Sequence, residues 1–192
     1  MPAENSGLLA EVDKWSERSL ETIAIGQEIG APALQLALAY GVIAYGGVLM
    51  APRLVAGTTD AEGNFESLDE PQKVRRVLRR ETAAILRRVL VGAVENGTGR
   101  RAQIEGVEVA GKTGTAQRAA EDGSGYDPAA SIASFAGFLP AEDPQYVCFV
   151  MVENPRVDGW GGHVAAPAFR RVMERILHLP GGLLVERAAN PG

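Results

Sequence analysis

The spacing of apolar residues changes several times along the chain, and each change marks an expected element. Residues 1–30 are rich in Gly, Pro, Asn and Ser, with a short apolar run at 23–25. They read as loop, then a short strand or turn of helix, then a glycine-bounded turn, GQEIG. Leu34, Leu36, Ala37, Leu38, Tyr40 and Ile43 then form an apolar helix face with some spill round it, which predicts a buried helix. Pro32 stands near its first turn, where a missing N–H is harmless, and Gly46-Gly47 end it. VLMAPRLVAG reads as a strand pair or a strand and turn, with Pro52 at an edge. TTDAEGNF is a polar loop turning at residues 62–64. From Val74 to Val94, apolar residues at 74, 77, 78, 85, 86, 89, 90 and 94 follow helical spacing.

Residues 105–117, EGVEVAGKTGTAQ, break that pattern with an alternating run, Val107-Glu108-Val109-Ala110, before a lysine. A polar loop, RAAEDGSGYDP, follows. Two β-leaning runs come next, ASIASFAGFLP and QYVCFVMVENP, separated by residues 141–144 as in an antiparallel hairpin with an extended turn. DGWGGHVAAP reads as a glycine-rich loop. Ala168, Phe169, Val172, Met173, Ile176 and Leu177 then mark an amphipathic helix that starts at Pro167 and ends at LPGG. The tail to Gly192 is expected to fray. The later strands have no helices between them, so they should be antiparallel neighbours with helices on the sheet faces. The fold class is therefore α/β of the α+β kind.

Composition changes this picture little. The length of 192 residues suits one domain or a large piece of one, able to bury roughly 70% of its unfolded surface. A net charge of −5 gives no reason to expect nucleic acid or an anionic membrane as partner. The single cysteine, Cys148, excludes an internal disulfide, and with only two histidines beside it argues against a structural zinc site. No apolar run approaches the roughly 20 residues of a spanning helix, and the first residues lack the pattern of a secretory signal. Arg75, Arg76, Arg79, Arg80, Arg87 and Arg88 lie mostly off the apolar helix face. They read as a solvated surface, with an acidic partner as the lesser alternative.

The chemistry concentrates at Lys112, one of only three lysines with Lys14 and Lys73. Gly106, Gly111, Lys112 and Thr113 fit the phosphate-loop pattern G-x-x-x-x-G-K-[ST] letter for letter, and Lys112-Thr113-Gly114 equally fits a K-T-G element. A phosphate loop needs a strand before the loop and a helix beginning at the lysine. Here the preceding residues alternate as in a strand, and Gly114 stands where that helix would start. On a strand, Thr113 and Thr115 point to one face, Lys112 and Gly114 to the other. Hydroxyls beside a cation suit capture of a carboxylate, and Gly114 would admit a substrate backbone. An edge strand with an incidental lysine remains the bland alternative. His163 beside two glycines reads as a loop residue, His178 as a dipole contact at a helix end, and Cys148 as core.

Taken together, ENSGLL with KWS, GQEIGAPALQLALAYGVIAYGGVLMAPRLV, ETAAILRRVLVGAVENGTGRRAQIEGVEVAGKTGTAQ, SFAGFLPAEDPQYV and GWGGHVAAPAF carry a resemblance. The chain resembles the C-terminal part of the transpeptidase domain of class B penicillin-binding proteins, the septal or elongation peptidoglycan synthases, almost end to end. The resemblance implies a partial β-lactamase/transpeptidase-like fold over residues 1–192, and no cofactor or metal. It implies acylation of a serine by the D-Ala-D-Ala end of a peptidoglycan stem peptide, then transfer to an amine on a neighbouring stem. It implies proton transfer and positive potential from Lys112, and capture of a stem-peptide or β-lactam carboxylate by Thr113 and Thr115. Gly114 would lie under the substrate, and the Thr115 N–H would be an oxyanion donor. The partners implied are stem peptide, β-lactams, the N-terminal half of the domain and divisome or elongasome proteins. The intact family protein would be anchored in the cytoplasmic membrane with its catalytic part outside.

The family's S-x-x-K and S-x-N motifs do not occur. The residues three before Lys14, Lys73 and Lys112 are Glu11, Glu70 and Val109, and no serine has asparagine two positions on. The nucleophile is expected to precede residue 1, so the chain alone is expected to be inactive, with exposed apolar surface and poor solubility or dimerisation. The family also carries glycine where Glu28 stands and Thr-Pro where Pro32-Ala33 stand; the second removes an expected helix cap. Two other functions remain: a non-catalytic module that binds stem peptide or a divisome partner, and a carboxypeptidase or β-lactamase relative, which the SFAGFLP and GGHVAAP segments argue against.

Overall fold

The computed structural model describes residues 6–67, 70–119, 126–156 and 159–180. Its centre is an antiparallel sheet of three strands in the order β7-β8-β9, with β7 at Ala110–Ala119, β8 at Tyr126–Leu139 and β9 at Tyr146–Glu153. Ala110 pairs with Phe138 and Leu139 with Tyr146, so sequential strands are spatial neighbours as expected. Both strands of the first hairpin run further than the sequence suggests. Part of the stretch read as polar loop, up to Ala119 and again from Tyr126, is strand, because pairing resumes beyond a register shift after Gln117. Residues 120–125, part of the stretch expected to be loop, lie outside the described residues.

Alternation along β8 sends side chains to both faces. Phe135 and Leu139 face α4, Gly161–Leu177, where Phe169, Met173 and Leu177 join Val94, Ile104, Val107 and Val109 in one buried cluster. The Phe135 and Phe169 rings lie 4.7 Å apart and tilted by 55°, a favourable aromatic arrangement. On the opposite face Ala110, Phe138 and Ala141 pack against Tyr40, Ile43 and Ala44 of α2, Ala33–Ala44, and Leu90 and Val91 of α3, Arg80–Glu95. Helices on both faces of an antiparallel sheet confirm the expected fold class. Of α2, only Val42 is fully buried, so this helix is less enclosed than its apolar sequence suggests. Pro32 precedes it without a side-chain cap hydrogen bond. Its end is left-handed, with Gly46 at φ 62° and Gly47 at φ 93°. The Gly47 N–H donates to Val42 O at 2.7 Å, and Gly47 O accepts from Val77 and Leu78.

The remaining elements are short: β1 Leu8–Leu9 with β2 Ile29–Gly30, α1 Ser19–Ala24, β3 Val48–Met50 with β6 Lys73–Arg76, and β4 Gly57–Thr59 with β5 Phe65–Ser67. β6 corrects the long helix expected from Val74. Residues 73–76 pair with Val48, Leu49 and Met50, and the helix begins only after Arg79, whose backbone is extended. Cross-strand pairing overrides a helical spacing that 74, 77 and 78 meet by coincidence. Lys73, Arg75, Arg76, Arg79, Arg80 and Arg88 are all exposed, and Arg87 donates to the carbonyls of Ala141 and Glu142.

The second correction concerns α4. The sequence suggests a loop up to Ala166 and a helix from Pro167, but the helix starts at Gly161 and Pro167 lies inside it. His163 therefore sits in a first helical turn, with its N–H on Trp160 O, and not in a loop. Gly161 and Gly162 look like breakers in sequence, yet they are there for contact. A Cβ at Gly161 would overlap Gly114 O and Ser134 O, and one at Gly162 would lie 2.6 Å from Thr98 O.

Candidate substrate-binding site

The site is built on β7. Its partner on one side is β8, and among the described residues no strand pairs with its other edge. The strand begins at Ala110, slightly later than the alternating run at 107–110 implies, although Val107 and Val109 are buried and Glu108 exposed as alternation requires. No helix starts at Lys112, so the phosphate-loop pattern is a coincidence of letters. Thr113 pairs with Phe135 and Thr115 with Ala133, which places both on the face covered by α4. Lys112 pairs with Ala136 and shares the opposite face with Ala110 and Phe138.

Despite leaving from opposite faces, Lys112 and Thr113 meet at the open edge. Lys112 Nζ donates to Thr113 O at 3.0 Å and to Thr113 Oγ1 at 3.2 Å. Thr113 Oγ1 also lies 2.7 Å from Thr98 Oγ1. The first N–H of α4, from Gly161, donates to Thr115 Oγ1 at 3.2 Å. The α4 N-terminus, with its partial positive charge, therefore sits beside Thr115. Lys112 and Thr115 are exposed while Thr113 and Gly114 are half-buried. One cation, two hydroxyls and a helix N-terminus thus converge on an unpaired strand edge, an arrangement that attracts a carboxylate. Gly114 has a further role the sequence does not show: a Cβ there would overlap Ser134 Oγ.

Residues 1–174 match the family described as the penicillin binding protein transpeptidase domain. The chain belongs to this family. Among relatives, the penicillin-binding protein PbpB of Mycolicibacterium smegmatis is 37% identical over 187 residues, 92% of this chain and 28% of that protein. The probable peptidoglycan D,D-transpeptidase PenA of Neisseria flavescens is 31% identical over 182 residues, 94% of this chain and 42% of that protein. The transpeptidase-family chain thus spans less than half the length of these relatives. Among solved structures, penicillin-binding protein 3 of Mycobacterium tuberculosis complexed with aztreonam superposes with a TM-score of 0.77 at 34% identity, covering 91% of this chain and 42% of that one. The transpeptidase domain of Burkholderia pseudomallei penicillin-binding protein 3 gives 0.75 at 31%, covering 94% and 53%.

Other sequence candidates take lesser places in the transpeptidase-family chain. His178 Nδ1 lies 2.6 Å from Glu174 O at the end of α4, the helix-end contact expected of it. Cys148 is only half-buried, and that burial raises its thiol pKa. Glu28 has φ 56°, a left-handed backbone that explains why glycine suits this position. Its carboxylate accepts from Ser19 Oγ and Thr22 Oγ1, both at 2.7 Å, which lowers its pKa. No group of three or more metal-ligating side chains occurs among the described residues, and no described helix is long and apolar enough to cross a membrane. Thr98, Gly161 and Gly162 are the site residues that sequence reasoning passes over. The one local signal for Thr98 is its place between two glycines.

Proposed function

We propose that residues 110–119 form the substrate-binding strand of a peptidoglycan D,D-transpeptidase that also binds β-lactams. The observation that carries this reading is the Lys112 Nζ–Thr113 Oγ1 contact with, two residues along the same strand, the Gly161-bonded Thr115 hydroxyl, on a β7 edge that no described strand pairs. Family membership and the naming of relatives as D,D-transpeptidases support it. The donor stem peptide adds to β7 as a further strand. Its terminal carboxylate lies on Thr113 and Thr115, with Lys112 supplying positive potential, and Gly114 lets the peptide backbone approach. A serine supplied by a part of the protein outside these residues attacks the carbonyl of the penultimate D-Ala. The developing oxyanion takes a hydrogen bond from the Thr115 N–H, a contact worth about 3 kcal/mol in acyl transfer. The terminal D-Ala departs with a proton relayed through the Lys112 network. An amine of a neighbouring stem then attacks the acyl-enzyme and frees the serine.

In this reading the chain serves cell-wall synthesis on the outer side of the cytoplasmic membrane, beside division or elongation proteins. The test uses the full-length protein and a fluorescent penicillin. Lys112→Ala should abolish acylation. Thr115→Val should weaken β-lactam binding by about 1–3 kcal/mol, the cost of leaving a polar group without its hydrogen bond. Wild-type acylation in both variants would sink the assignment.

A further inference from the structure

Among the described residues Thr113 Oγ1 has two hydrogen-bond neighbours, and their chemistry decides what it can do. Lys112 Nζ, as an ammonium, has protons to give and no lone pair, so at 3.2 Å it donates. Thr98 Oγ1, 2.7 Å away, can donate or accept. A threonine hydroxyl has one proton and two acceptor sites. If Thr113 gives its proton to Thr98, nothing remains with which to hold an anion. If Thr98 gives its proton to Thr113, both acceptor sites of Thr113 are filled, and its own proton must point to an acceptor outside this pair.

We propose that Thr98 is a positioning residue that turns the Thr113 hydroxyl into a donor toward the substrate carboxylate. The inference rests on the substrate-binding reading of β7 given above. The loop carrying Thr98 is fixed well enough for the task. Gly99 is buried and its N–H donates to Ala93 O at 3.0 Å. A Cβ at Gly97 would lie 2.8 Å from Ala93 O, so the turn packs directly on the end of α3. On its other side the Thr98 carbonyl lies against Gly162 in the first turn of α4. One threonine thus links the α3 end, the α4 start and the anion-holding strand. An arriving carboxylate selects the proton arrangement that Thr98 makes available, and Lys112 supports the same polarity.

The experiment compares Thr98→Val, Thr98→Ser and Thr113→Val in the full-length protein. The acylation rate constant is measured with a penicillin and with its methyl ester, which lacks the carboxylate charge. Valine keeps the shape of threonine and removes the hydroxyl; serine keeps the hydroxyl. Thr98→Val should acylate up to about tenfold more slowly with the acid, because the Thr113 hydroxyl loses the one hydrogen bond that orients its proton toward the anion. It should match wild type with the ester, and Thr98→Ser should recover the wild-type rate with the acid. A Thr98→Val variant that acylates normally with the acid, while Thr113→Val is slow, would overturn the inference and leave the site reading intact. So would an equal loss on acid and ester, or no recovery with serine, since either indicates a merely structural role. A Thr113→Val variant that acylates normally would remove the site reading itself, and this inference with it.

Discussion

Gly161→Ala is the perturbation that best tests how the site is assembled, because it changes one buried backbone position and no functional group. A methyl there meets Gly114 O and Ser134 O, both backbone atoms that cannot rotate away. Ordinary contact needs roughly 3.5 Å, so the first turn of α4 must withdraw from the sheet by about 1 Å, a displacement that costs on the order of 100-fold when it reaches a reacting geometry. The hydrogen bond from the Gly161 N–H to Thr115 Oγ1 lengthens beyond its 3.2 Å. Overpacking of this kind costs about 1–3 kcal/mol of stability, and the weakened hydrogen bond adds about 0.5 kcal/mol, the low end of the range because Thr115 is exposed. Gly92→Ala is the control. Gly92 lies inside α3 and a Cβ there meets nothing within 4 Å. Replacing a mid-helix glycine should stabilise by about 0.5–1 kcal/mol. The assay is paired: thermal unfolding, and acylation of the full-length protein by a fluorescent penicillin. Gly161→Ala should melt lower and acylate far more slowly, while Gly92→Ala melts higher and acylates normally. Normal acylation by Gly161→Ala, whatever its melting temperature, would refute the idea that the α4 N-terminus positions Thr115.

Two further outcomes follow from the packing and the hydrogen bonds. Phe169→Ala removes a ring that is fully buried between Phe135 and Gly137, and should lower stability by about 3–5 kcal/mol in a denaturant titration. Glu28 has its carboxyl pKa lowered from 4.5 by hydrogen bonds from Ser19 and Thr22. A depressed folded pKa contributes stability that is present above the unfolded value and lost as pH falls through the folded one. The difference in melting temperature between wild type and Glu28→Gln should therefore be present at neutral pH and shrink as pH drops below about 4; a difference independent of pH would show that the charged form is not the one held.

Much of this protein is local in its causes, and to that extent its sequence is sufficient. The α2 helix, the body of α3 and the β8–β9 hairpin follow from side-chain period, because one period buries a continuous face and the other does not. The choice between a phosphate loop and a site-lining strand follows too, since the residues before Lys112 alternate as in a strand and those after it carry no helical spacing. Tertiary structure decided the rest. Residues 73–76 carry a helical spacing, but their partners in β3 are more than twenty positions away in sequence and make them a strand. Gly161 and Gly162 read as loop, yet they start a helix, because only glycine lets that first turn lie against Gly114, Ser134 and Thr98. The grouping of Lys112, Thr113 and Thr98 is likewise invisible to periodicity: alternation assigns Lys112 and Thr113 to opposite faces. It is the open edge of β7 that lets a long, flexible lysine side chain reach round to its neighbour, and the turn after α3 that brings a second hydroxyl within 2.7 Å.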